Sequence, residues 1–254
     1  MSTNKKPIKN VGFFITCLAN TMRPSLGFAA IQLLEQAGCR VEVPKLQSCC
    51  GQPAFNSGDD RGTRQIAKQL IREFEIYDYV VVPSGSCASM IKKNFVDVFQ
   101  DQSQWLQRAQ NLADRTWELL SFLVDVCEFV PHSVKLSGTY TYHDSCSGLR
   151  SLGVYEQPRK LLKHVDGLQY LPLKGHMECC GFGGTFCIKY SDLSNAIVSE
   201  KVENIIHTEA DYLLGGDWGC LMNMAGKLHR QNDTKTTLLH TAEVLAGMAK
   251  DLTE

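Results

Sequence analysis

Short apolar runs rich in β-formers alternate along the chain with longer stretches whose apolar residues recur every three to four positions. Residues 11–16, 40–43 and 79–83 read as strands, and residues 25–37 and 64–74 read as helices. Pro24 and Gly38 punctuate the ends of the first helix. Ile66, Leu70 and Phe74, spaced four apart, line one face of the second. The order then returns. Residues 139–143, 168–172 and 211–215 are predicted strands, and 157–165 and 195–206 predicted helices, the last with Val198, Val202, Ile205 and Ile206 on one face. Residues 116–126 are expected to add a helix at the junction, and residues 237–249 a closing helix. Strands alternating with helices imply an α/β fold with parallel sheets.

The cysteines repeat with the elements. Cys49-Cys50-Gly51 and Cys179-Cys180-Gly181 are vicinal pairs followed by glycine, and each pair is bracketed by two outlying cysteines. In the first half 31 residues separate Cys17 from Cys49, and 36 separate Cys50 from Cys87. In the second half 32 residues separate Cys146 from Cys179, and 39 separate Cys180 from Cys220. The flanks match as well: Asp78 stands nine positions before Cys87, and Asp211 nine before Cys220. Four matched cysteines with matched flanks imply duplication. The boundary falls within 125–138, where Val130-Pro131-His132-Ser133 breaks the pattern, giving repeats over 1–130 and 131–254.

Composition narrows the chemistry. A chain of 254 residues with 44% hydrophobic and 21% charged residues is that of an ordinary globular protein with a real core. A net charge of -1 gives no electrostatic reason to expect nucleic acid or an anionic membrane surface. Eleven cysteines are too sparse for a disulfide scaffold and odd in number. Neighbouring cysteines rarely bond to each other. The thiols therefore read as a metal or redox inventory in a reducing compartment, and the protein as cytoplasmic. Lys5, Lys6 and Lys9 precede an apolar run too short for a secretory signal, and no run approaches a membrane span.

On this scaffold Cys17, Cys87, Cys146 and Cys220 fall just past the ends of predicted strands, the rim where open α/β sheets collect ligands. Adjacent side chains on a strand point to opposite faces, so both thiols of a pair reach one centre only if the backbone turns, which Gly51 and Gly181 permit. Gathered thiolates repel, and a cationic centre removes the conflict. Soft sulfur ligands select zinc, copper(I) or iron–sulfur clusters. Four-cysteine zinc sites bring two close C-x(2–4)-C hooks, which this chain lacks, so the spacing favours a cluster held between rim loops.

Cys17/Cys49-Cys50-Gly51/Cys87 and Cys146/Cys179-Cys180-Gly181/Cys220 resemble two copies of the cysteine-rich CCG domain. That domain occurs in the cysteine-rich subunit of heterodisulfide reductase, in the iron–sulfur subunit of glycolate oxidase and in lactate-utilisation proteins. Residues Cys179 to Phe186 (CCGFGGTF) and Tyr142 to Cys146 (YHDSC) are similar to the lactate-utilisation branch. The resemblance covers nearly the whole chain. It implies two tandem pseudo-repeats, each a small parallel-sheet α/β (Rossmann-like) CCG domain. It also implies a subunit of a multi-subunit L-lactate dehydrogenase that oxidises L-lactate to pyruvate. The eight cysteines would then bind one or two iron–sulfur clusters, [4Fe–4S] in type. Its partners would be a ferredoxin-type iron–sulfur subunit and a small third subunit. One departure stands out. Heterodisulfide reductase carries a C-x-x-C at the last cysteine, whereas here Met90 and Asn223 hold the fifth-ligand positions. A thioether or amide is a weak iron ligand. Four thiolates per half match an ordinary four-cysteine cluster.

Plainer readings accompany these. Cys39, Cys127 and Cys187 are expected to be packing residues. His143 and Asp144, just before Cys146, are expected to make hydrogen bonds behind the centre rather than handle substrate. Gly181-Phe182-Gly183-Gly184 lacks the G-x-G-x-x-G spacing and a P-loop lysine, so nucleotide binding is rejected. Two rival functions remain at this point: a thiol–disulfide oxidoreductase resembling heterodisulfide reductase, and a non-redox zinc-binding or interaction module.

Overall fold

In the computed structural model, which describes residues 8–132, 134–249 and 252, the two sequence periods resolve into two parallel four-stranded sheets. Lys5, Lys6 and Ser133 lie outside the described residues. In the first sheet β1 (Asn10–Phe13), β2 (Arg40–Glu42), β3 (Tyr79–Val82) and β4 (Thr116–Glu118) lie in the order β2-β1-β3-β4. In the second, β5 (Val134–His143), β6 (Val165–Tyr170), β7 (Tyr212–Gly215) and β8 (Thr237–His240) lie in the order β6-β5-β7-β8. The helices of the first half are α1 (Cys17–Met22), α2 (Pro24–Gln36), α3 (Gln52–Phe55), α4 (Asp60–Phe74), α5 (Gly85–Ser89), α6 (Phe95–Val98), α7 (Ser103–Arg115) and α8 (Leu119–Ser121). Those of the second are α9 (Glu156–Leu162), α10 (Phe186–Lys189), α11 (Ser191–Ile206), α12 (Trp218–Arg230) and α13 (Thr241–Leu245). Wider π turns span Met90–Asn94, Phe122–Val126 and Ser147–Ser151.

The duplication extends to register. Val11 lies opposite Tyr79 and Val41; Tyr140, its counterpart, lies opposite Tyr212 and Tyr170. Helix α4 buries Thr63, Ala67, Leu70, Ile71 and Phe74, and α11 buries Ser194, Val198, Lys201, Val202 and Ile205, each 131 positions further on. The matched aspartates have a matched task. Asp78 Oδ2 accepts from the Asn10 N–H at 3.1 Å. Asp211 Oδ2 accepts from the Thr139 N–H at 2.7 Å and its hydroxyl at 2.8 Å. Asp78 thus anchors the start of β1, and Asp211 holds the middle of β5, just past its register shift.

Three expected helices need correction. Residues 116–126 and 237–249 were each expected to be one helix. Instead β4 and β8 form the fourth strand of each sheet, followed at once by short helical turns. In both cases the strand's last residue is the helix N-cap. Glu118 accepts from the Ser121 N–H at 2.9 Å, and His240 accepts from the Ala242 N–H at 3.2 Å. The predicted helix over 157–165 also stops at Leu162, because Val165 already begins β6.

The largest apolar cluster runs through both halves. It joins Val11, Phe13, Leu33 and Leu120 to Tyr142, Leu214, Leu239 and Val244. Two separate clusters cover the outer faces, one around Phe74, Phe95 and Val82, the other around Val202, Leu213 and Met224. Buried polar links cross between the halves as well: Glu243 accepts from Arg23 Nε at 2.7 Å and from the Ser25 hydroxyl at 2.6 Å. In each sheet the strand order reverses between its first and third strands, so the cysteines that follow those strands flank a topological switch point.

Candidate metal centres

Cys17 opens α1, Cys87 sits in the first turn of α5, Cys146 caps the π turn Ser147–Ser151, and Cys220 lies in the first turn of α12. Helix starts expose unpaired N–H groups and a partial positive charge, which suits a thiolate. The vicinal pairs are turned by left-handed glycines, Gly51 at φ 84° and Gly181 at φ 79°. A Cβ on Gly181 would come to 2.7 Å from the Ser194 carbonyl oxygen, so this turn accepts no side chain. The Gly181 N–H also donates to Cys179 Sγ at 3.3 Å.

The fold brings each predicted quartet together, and in the same sequence of neighbours. Cys17 Sγ is 3.7 Å from Cys49 Sγ, Cys49 neighbours Cys50, and Cys50 Sγ is 3.4 Å from Cys87 Sγ. In the second half Cys146 is in hydrogen-bonding contact with Cys179, Cys179 with Cys180 and Cys180 with Cys220. No disulfide joins any of the eleven cysteines. Crowding sets them against one another. The Cys49 thiol is pulled down to about 2 by hydrogen bonds from Cys17 and Cys50. Cys17 and Cys50 are pushed above the ordinary thiol range by those same bonds and by burial. Cys146 rises likewise, through its bond to Cys179 and then burial. One sulfur takes the charge while its neighbours keep their protons, so full deprotonation requires a cationic centre.

Each quartet gathers soft donors suited to a metal ion or a cluster. A tetrahedral zinc with bonds of about 2.3 Å holds every sulfur pair at roughly 3.8 Å. Here the close contacts run only between successive members of a string. Among the described residues, the one set of three metal-type donors whose ligand atoms all lie within 4.8 Å of one another is His143, Cys180 and Cys220.

The departures from C-x-x-C have other work. Asn223 Nδ2 donates to the Cys180 carbonyl at 2.8 Å and pins the paired-cysteine turn. Met90 is buried in the apolar cluster that contains Cys50. Cys39 and Cys127 lie 3.8 Å apart beside the central core, as packing residues would. Cys187 differs from expectation. It lines a cavity of ≈ 420 Å³ between the halves, together with Cys17, Cys49, Cys50 and Cys87 on one side and Phe182, Trp218 and Met222 on the other. No Lys, Arg or His is among the described residues lining this cavity. Asp144 is buried and fully engaged, accepting from Arg159 at 2.9 and 2.8 Å and contacting His176 Nδ1 at 2.7 Å. Burial keeps the His143 imidazole neutral, its pKa pushed down to about 3.

The two sites meet back to back. Asp217, 3% exposed, is the N-cap of α12, and its Oδ2 accepts from the Ser84 hydroxyl and the Ser86 N–H, both at 2.9 Å. Ser84 is the N-cap of α5, so equivalent caps of the two halves bond to each other. Gly85 packs so closely on Gly148 that a Cβ would come to 2.8 Å from its Cα and N. Sequence reasoning missed Asp217. The signal was present, since Ser84 and Asp217 are related by the spacing that relates Cys87 to Cys220. No helix among the described residues is long and apolar enough to cross a membrane.

Comparison with known proteins follows the same division. A model of the cysteine-rich domain (CCG) matches twice, over residues 11–92 and 140–225. A protein of Geobacillus sp. (strain WCH70) called lactate utilization protein A is 48% identical over 235 residues, covering 92% of this chain and 98% of its own. Lactate utilization protein A 2 of Bacillus cereus (strain Q1) is 45% identical over 241 residues, covering 94% of this chain and 99% of its own. Among solved structures, a hypothetical protein from Helicobacter pylori superposes with a TM-score of 0.68 at 10% identity, over 96% of this chain and 49% of that one. That likeness concerns the fold.

Proposed function

Because the chain belongs to the cysteine-rich CCG domain family and carries two copies of its domain, we propose that it is an iron–sulfur electron-transfer subunit of an L-lactate-oxidising complex. In this reading Cys17, Cys49, Cys50 and Cys87 hold one cluster, and Cys146, Cys179, Cys180 and Cys220 the other, in repeats divided near residue 130. The relatives' names support the lactate assignment. The partners would be a ferredoxin-type iron–sulfur subunit and a small third subunit, and the complex would be cytoplasmic.

The observation that carries the reading is the pair of matched sulfur strings set back to back across Asp217 and the Gly85–Gly148 contact. An iron–sulfur cluster, when bound, supplies reversible one-electron transfer. The chain's own groups supply the rest: glycine turns that bring paired thiols to one side, helix starts that favour thiolates, and an apolar wall that limits water. The cavity beside the first quartet offers no cation to a carboxylate, which supports oxidation of lactate elsewhere in the assembled complex.

The test is anaerobic purification of the full chain with iron and sulfide quantification and paramagnetic resonance. Iron and sulfide in equal amounts with a cluster signal are expected, and Cys180→Ser should remove the second centre's share and lactate-dependent growth. Stoichiometric zinc without iron would overturn the assignment.

A further inference from the structure

The two halves share one plan, yet the surroundings of their quartets differ at two buried positions. Three residues before the leading cysteine the first half has Phe14 and the second has His143. On the helix behind the vicinal pair, Leu70 in α4 corresponds to Lys201 in α11. All four side chains are at most 1% exposed. Lys201 Nζ donates to the carbonyls of Gly175 at 2.6 Å and His176 at 3.1 Å, just ahead of Cys179. His143 has no partner for either ring nitrogen. Its ring reaches the sulfurs of Cys180 and Cys220, the three ligand atoms lying within 4.8 Å of one another.

A fully buried imidazole with two unpaired nitrogens is costly unless something in the site completes it. Four thiolates already serve the four corners of a cluster, so the ring is not needed as a ligand. What it can offer is an N–H. The neighbouring charges leave this difference in place. Asp144 is spent on Arg159, and Asp217 stands between the two cysteine-bearing turns, near both quartets.

We propose that His143 is a positioning residue of the second centre, donating its ring N–H to the Cys180 and Cys220 sulfurs and making that centre easier to reduce than a phenylalanine there would. The inference rests on the reading that the quartets hold iron–sulfur clusters. Hydrogen bonds to cluster sulfurs draw off electron density and favour the more negative, reduced state. The Lys201 ammonium acts in the same direction. The duplicated plan has thereby been made electrically unequal, with nitrogen groups added to the second half alone.

The experiment uses the full chain, loaded anaerobically and titrated with dithionite while the paramagnetic signals are followed. Each reductive step adds one electron, supplied by dithionite, to one centre; the step lost in Cys180→Ser belongs to the second. His143→Phe, which copies the first half, should move that step to lower potential and leave the other in place. His143→Gln, which keeps an N–H donor, should recover part of the shift. The reciprocal Phe14→His should raise the first centre's step and keeps the inference testable if His143→Phe does not fold. Chains with full iron content and unmoved potentials in both His143→Phe and Phe14→His would overturn the inference alone. An iron-free wild-type chain would instead overturn the reading beneath it.

Discussion

Replacing Glu118 by glutamine should stabilise the protein above neutral pH. Glu118 lies at the end of β4, 3% exposed, with one oxygen accepting from the Ser121 N–H and the other, Oε1, unpartnered. Burial raises its pKa from 4.5 to about 7, against the lowering effect of the Ser121 bond. Between those two values the folded chain holds a proton that the unfolded chain has released. Stability therefore falls as pH rises from about 4.5 to about 7, and the full cost persists above that range. At about 1.4 kcal/mol per pKa unit the loss is about 3.5 kcal/mol, of which about 3 kcal/mol falls above pH 5. His143 acts with the opposite sign. Its pKa is pushed down to about 3 from 6.5, so its contribution grows with pH across that window. Subtracting variant from wild type cancels that term. Urea unfolding of wild type and Glu118→Gln, run anaerobically from pH 5 to 8.5, should show the variant's relative stability rising by about 3 kcal/mol. A difference that stays flat within about 0.5 kcal/mol across the range would refute the argument that burial holds this carboxyl protonated.

Three further outcomes are expected. Gly181→Ala places a Cβ at 2.7 Å from a backbone oxygen and at a positive φ, so it should cost about 2 kcal/mol or more and lower iron uptake; unchanged denaturation midpoint and metal content would contradict this. Asp217→Ala leaves the half-buried Ser86 N–H and the buried Ser84 hydroxyl without their shared acceptor and should cost about 2 kcal/mol. A double-mutant cycle with Ser84→Ala should return a coupling near 1 kcal/mol, and additivity would show that the bond across the halves is silent. Asn223→Ala frees the Cys180 carbonyl and should weaken the second centre while sparing the first: iron content should fall on a Cys50→Ser background and stay unchanged on a Cys180→Ser background.

The eight cysteines were legible because duplication supplied an internal alignment, and the strand–helix order placed them on one rim. The first three strands of each half were legible for the same reason. The fourth strands were not. Thr116–Glu118 and Thr237–His240 are three and four residues long and run straight into helical turns without glycine or proline between. Their apolar positions continue into Leu119, Leu120 and Leu123, and into Val244 and Leu245, so no change of period marks the transition. Partnerships were out of reach too. That His143 is left unpaired and Asp144 is taken by Arg159 depends on where the second half's helices settle on its sheet, and that Cys187 faces the opposite half's quartet depends on how the halves pack. Sequence spacing does not carry that information.

The single carboxylate shared by the two cysteine-bearing turns has a consequence for maturation. Asp217 immediately precedes α12, and its Oδ2 holds Ser84 and Ser86 at the start of α5, so ordering either turn restrains the other. Insertion at one centre then lowers the entropic barrier to insertion at its twin. A chain with one centre filled should therefore take up the second more readily than an empty chain takes up its first.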